Sequence, residues 1–218
     1  TVEKLDKAIK LAPGVPYYYN NRAQAFLAYQ LQPEIFIEPD CNQQTDVPYW
    51  VCLGIESLES NQEAADQQPF NYRAQLAVAN SAFNLRLYEL AAESYYKAST
   101  MLPNSWVIRN DLAESQINAG LHEKALPELD RSLAITGISD HSRSPKALYL
   151  KGKALREIGR LDDAKSSLNQ GLSLGYTSEV TTNILALLHE INTELGVAQD
   201  IGYFDRAISQ TPQDPVAY

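Results

Sequence analysis

The sequence predicts an all-α chain, a solenoid of stacked helix–turn–helix repeats, and three observations carry that prediction. A five-residue step from a small residue to a proline recurs: Ala8 to Pro13, Ala64 to Pro69, Ala98 to Pro103 and Ala207 to Pro212. Pro69 and Pro103 lie 34 residues apart, and the 109 residues from Pro103 to Pro212 hold three such periods and 7 more. Within each period apolar residues return at three- and four-residue steps, the spacing of one helix face and not of an alternating strand.

In order, the opening stretch "TVEKLDKAIKLAP" reads as the second helix of a unit, closed by Pro13, and Tyr19 opens the first helix of the next. The closing stretch repeats that phrase: Leu5 to Ile9 align with Phe204 to Ile208, Pro13 with Pro212, Pro16 with Pro215 and Tyr19 with Tyr218. Neither end carries the polar cap that a terminal repeat needs. We therefore expect that further repeat or another domain flanks at least one end in a longer parent. Pro13 to Pro69 is 56 residues, one period and 22 more, and the excess falls at 29–50, an irregular insertion inside the first complete repeat. A connection of that length is usually functional or disordered, but Phe36, Tyr49 and Trp50 suggest that it packs down.

The cleanest unit runs from Tyr72 to Ser105: Leu76, Val78, Ala79 and Phe83 on its first helix, Tyr88, Ala91, Tyr95, Ala98 and Leu102 on its second. The next repeats it with Leu112, Ala113, Gly120, Ala125, Leu129 and Ser132, and the one after with Leu148, Gly152, Leu155, Gly159, Ala164, Leu168 and Gly171. In these two units Gly137 and Tyr176 stand where proline would. Small residues sit where helices must approach closely, and Gly120 and Gly159 close first helices in the position that favours a left-handed cap.

This combination resembles the tetratricopeptide repeat, and the resemblance covers nearly all of 1–218 as a single solenoid. The residues that carry it are Ala23, Ala79, Ala113 and Gly152 in first helices, Ala91, Ala125 and Ala164 in second helices, then the later small residue and the terminal proline. It implies a right-handed α-α superhelix and binding on a concave groove lined by first helices. Where the family favours tryptophan this chain has Tyr19, Gln75, Arg109 and Leu148, and the unit from about 181 to 214 departs furthest, with Leu188 in a small-residue position.

Net charge is −9 and the isoelectric point about 4.8, which disfavours nucleic acid and anionic membrane surfaces. No apolar run approaches the roughly 20 residues that span a bilayer, so direct membrane insertion by this segment is not expected. Polar residues recur three or four apart on predicted first helices: Asn80 and Asn84; then Asn110, Glu114 and Asn118; then Lys146, Tyr149, Lys153 and Arg156. Residues at that spacing share a face. With Arg73 these form the candidate groove set, whose amides suit a peptide backbone or sugar hydroxyls. A plain solvated face would look the same. One subclass of the family grips chaperone C-termini with lysines, asparagines and an arginine; the matching positions here, Asn20, Gln24, Leu76, Asn80, Asn110 and Glu114, lack the cations.

No catalytic, metal or cofactor motif is found around His122, His141 or His189, and there is no phosphate-cradling glycine loop. The expected function is a non-catalytic scaffold whose partner is a protein or peptide, with glycan as a further candidate. Cys41 and Cys52, the only cysteines, are 11 apart, too few for a zinc site; they are a disulfide candidate in an oxidising compartment and two thiols in the cytosol. The stretches "LAPGVPYYYNNRAQAF", "STMLPNSWVIRNDLAE" and "ALYLKGKALREIGRLDDA" also resemble the repeat region of bacterial O-antigen ligase-like membrane proteins. That resemblance implies an accessory domain on the extracytoplasmic face, with ligation chemistry elsewhere in the parent.

Overall fold

A computed structural model describes residues 2–30, 49–137, 144–174 and 178–196. Among them the regular structure is helical: α1 (Val2–Leu11), α2 (Pro16–Gln30), α3 (Tyr49–Gln67), α4 (Tyr72–Asn84), α5 (Tyr88–Met101), α6 (Trp106–Asn118), α7 (His122–Thr136), α8 (Ser144–Glu157), α9 (Leu161–Ser173) and α10 (Ser178–Glu194). The chain forms two compact units, Thr1–Pro103 and Asn104–Tyr218. None of the described helices is long and apolar enough to cross a membrane.

In the first unit each helix packs on the next, α1 on α2 through to α4 on α5. Pro16, whose missing N–H costs nothing at a helix start, opens α2. Asn71 caps α4 by accepting the Arg73 N–H at 3.0 Å. Ala23, Ala79, Ala91 and Ala98 are completely buried, as close helix approach requires. Residues 29–30 and 49–50 of the expected insertion belong to α2 and α3, and 31–48 lie outside the described residues. Arg22 ties three helices together: it bonds Ser60 Oγ at 2.9 Å, reaches Asp6 at 3.2 Å and Glu63 at 3.3 Å, and lies 5.6 Å from the Tyr19 ring centre.

In the second unit α6 pairs with α7 and α8 with α9, and α10 packs on both α8 and α9. One core gathers Ala113, Leu129, Leu133, Leu148 and Ala154; its neighbour gathers Leu155, Ala164, Leu168, Ile184, Leu188 and Ile191. Leu188, large where the repeat expects a small side chain, is buried in that second cluster. Gly171 admits Ile184 and Leu148 so closely that a Cβ there would stand 3.0 Å from Ile184 Cδ1.

Three first helices end alike. The amides of Leu87, Leu121 and Arg160 bond back to the carbonyls of Ala82, Gln116 and Leu155, and the residue before each has positive φ. Two of those residues are Gly120 and Gly159, at 76° and 78°; the third is Arg86, at 61°. A side chain in this left-handed region costs energy that glycine does not. Arg86→Gly is expected to stabilise the first unit by about 1 kcal/mol, seen as a higher urea midpoint with unchanged slope. A lower midpoint would mean that the exposed arginine makes a contact worth more than the strain.

Candidate binding faces

The first helices of the second unit, α6, α8 and α10, lie side by side in that order. Lys146 Nζ on α8 stands 3.0 Å from Glu114 and 3.7 Å from Asp111 on α6. Lys153 donates to Asn118 Oδ1 at 3.3 Å. On the other flank Arg156 donates to Glu190 at 2.6 Å and to Glu194 at 2.8 Å, both on α10. The structure thus brings together Glu114, Asn118, Lys146, Lys153 and Arg156, and sets Tyr149 half-buried between the acidic flanks. Among the described residues, four carboxylates here face three cations, a negative excess.

Asn110 behaves differently. It is 1% exposed, and neither of its amide atoms has a hydrogen-bond partner. Arg73 is exposed on α4 and donates to the neighbouring Tyr72 hydroxyl at 3.1 Å.

Burial pushes the Asp111 carboxyl up from its ordinary range; Lys146 opposes that and Glu114 adds to it. Burial acts against the Lys146 charge as well, yet Glu114 and Asp111 outweigh it and hold the ammonium above its ordinary value. The Tyr149 phenol is raised by burial first, then by Glu114 and Glu190. A carboxyl raised on folding favours the native state while protonated, and that contribution is lost as pH rises through the folded value. Asp111→Asn is therefore expected to raise the melting temperature at neutral pH, with the gain vanishing below the ordinary aspartate pKa. A uniform gain across pH would assign the effect to packing.

In the first unit a cavity of about 350 Å³ is lined by Gln24, Asn61, Asn80, Ser81, Asn84 and Tyr95, together with Ala77 and Phe83. Asn80 and Asn84 meet there, as their four-residue spacing suggests, and Arg73 is not among the lining residues. Asn80 Oδ1 accepts the Tyr95 hydroxyl at 2.5 Å. Asn61, on α3 and 1% exposed, gives its Nδ2 to Ser81 Oγ at 2.8 Å and to the Ala77 carbonyl at 3.4 Å. A carbonyl only accepts, which fixes the amide's orientation and leaves Asn61 Oδ1 without a partner.

Sequence reasoning missed Asn61, Asp111, Glu190 and Glu194. Glu190 and Glu194 had a signal, four-residue spacing on a first helix, hidden because their repeat departs from the pattern. Asn61 had none, since it comes from a second helix.

Cys52, on α3, is disulfide-bonded; Cys41 lies outside the described residues, as do the aromatic contacts expected of 29–50 and the closing stretch 203–218. Among the described residues no group of His, Cys, Asp and Glu could hold a metal ion.

Paired helices with small residues at their crossings and left-handed caps after the first helix define a helical-repeat protein of the α-α superhelix class, and solved structures bear this out. YrrB, described as a tetratricopeptide repeat protein with an unusual peptide-binding site, matches at 16% identity over 100% of this chain and 97% of its own, with a TM-score of 0.61. MamA from Desulfovibrio magneticus RS-1 matches at 14% identity over 88% of this chain and 97% of its own, with a TM-score of 0.62. TTC0263, a thermophilic repeat protein of Thermus thermophilus, matches at 20% identity over 89% and 94%, with a TM-score of 0.56. The fold is that of the tetratricopeptide repeat. No family model and no curated protein matches the chain, and the resemblance to O-antigen ligase-like proteins gains no support.

Proposed function

We propose that the chain is a non-catalytic scaffold that binds a peptide or partner protein on its first-helix faces, and that the second unit prefers basic segments. The observation that carries this reading is the charge arrangement on α6, α8 and α10. Lys146, Lys153 and Arg156 already have acceptors within the strip. The carboxylates keep unused lone pairs, and each can accept a further charge-assisted hydrogen bond. A net charge of −9 steers cationic partners toward it.

Fluorescence anisotropy with labelled peptides of equal length and graded charge tests the idea. Basic peptides should bind, more weakly as salt is added. Glu190→Gln and Glu194→Gln should each weaken them about two- to fivefold, and the double substitution, by freeing Arg156 of both carboxylates, should improve acidic ones. Equal binding of acidic and basic peptides to the unaltered chain would overturn it.

A second reading makes the chain an accessory domain on an extracytoplasmic face, and one observation favours that compartment: Cys52 is disulfide-bonded, and such bonds persist in oxidising compartments. Mass measurement of unreduced chain from its native cells tests the compartment; a cysteine that takes up alkylating reagent before reduction counts against it.

A further inference from the structure

Among the described residues that line the cavity of the first unit, none carries a carboxylate or an ammonium. Its polar wall is built from the side-chain amides of Gln24, Asn61, Asn80 and Asn84, with the Tyr95 and Ser81 hydroxyls. We propose that it is a selective pocket for a primary carboxamide, the glutamine or asparagine side chain of a bound peptide. This rests on the peptide-binding reading above but concerns a separate site.

Hydrogen-bond polarity carries the inference. Asn80 Oδ1 accepts the Tyr95 hydroxyl, which leaves the two Asn80 N–H groups as donors for an incoming group. Asn61 is the reverse: its N–H groups are held by Ser81 and Ala77, and its buried Oδ1 is the acceptor left over. A carboxamide supplies a carbonyl for the first and an NH2 for the second. A carboxylate would set a negative oxygen against Asn61 Oδ1, and an ammonium would meet the Asn80 N–H groups with its own. Either charged group would also leave water for a site whose described lining offers no counter-charge. About 350 Å³ holds one side chain and its flanking backbone, and Phe83 supplies apolar wall for the methylenes. A buried polar atom left unmatched costs enough to discriminate strongly between near-isosteres, which is the source of selectivity here.

The test uses the full chain, with side-chain amide resonances followed by NMR. The probes are acetyl-Ala-Gln-Ala-amide, its Glu, Lys and Met counterparts, and methyl glucoside. The Gln peptide should shift the Asn61, Asn80 and Asn84 side-chain signals saturably, and the Glu, Lys and Met peptides should not. Asn80 is exposed, so Asn80→Asp should leave the chain folded while replacing donors by an anionic acceptor. It should weaken the Gln peptide about tenfold and bring in the Lys peptide, a swap that a purely structural asparagine would not produce. Equal response to Gln and Glu, a response to methyl glucoside alone, or no response from folded protein overturns the proposal. Basic-peptide binding to the second unit would survive each of those results.

Discussion

Glu128→Ala should destabilise the second unit by about 3–5 kcal/mol, among the largest losses any single substitution in this chain can cause. Glu128 on α7 and Arg109 on α6 meet at 2.6 Å with side chains only 8% and 11% exposed. Arg131 holds the other carboxylate oxygen at 2.8 Å but is 61% exposed. Removing the carboxylate leaves a buried guanidinium without this counter-charge, and the cost of keeping it out of water is no longer offset. Arg131→Ala touches a pair that solvent already screens, so its cost should stay within about 1 kcal/mol. Glu128→Gln, which keeps the shape and an acceptor, should fall between them. Two units need not unfold together, so the readout is hydrogen-exchange protection in α6 and α7 along with global melting. Equal losses for Glu128→Ala and Arg131→Ala would show that the buried pair contributes nothing special.

Gly152→Val is expected to cost about 3 kcal/mol. A Cβ at position 152 would lie 2.5 Å from Leu168 Cγ and 2.6 Å from Cδ2, inside any tolerable contact. Leu168 is completely buried, so it has no room to step aside. Leu168→Ala alone should cost about 2–5 kcal/mol by opening a cavity. Together the two changes should cost less than their sum, because the added side chain at 152 fills the space that the leucine leaves. A coupling energy of about 1–3 kcal/mol in the double-mutant cycle is expected. Strict additivity would mean that α8 and α9 do not meet at this point.

Much of this was readable in advance, for specific reasons. A residue that lets two backbones touch must be small whatever surrounds it, so Ala79, Ala113 and Gly152 announce helix crossings from the sequence alone. Gly120 and Gly159 announce caps because a left-handed residue is cheap only for glycine. Arg86 in the same cap could not be foreseen, since nothing in its chemistry asks for that backbone. Arg109 could be seen only as a departure from the tryptophan that the repeat favours; its buried partnership with Glu128, 19 residues away, needed the folded chain. The polar sites divide the same way. Four-residue spacing brought out Asn80 with Asn84 and Tyr149 with Lys153, but not that Asn110, four before Glu114, is buried.

Periodicity, then, by itself determined an all-helical repeat chain and the positions of its crossings and caps, because those depend on residue size and backbone freedom, which are local properties. Tertiary structure decided which polar groups face one another. It set Asn61 behind Asn80, and drew Glu190 and Glu194 onto Arg156, through contacts between residues on different helices. Charge balance and hydrogen-bond polarity at a surface belong to such pairs, and no single segment of sequence contains both members.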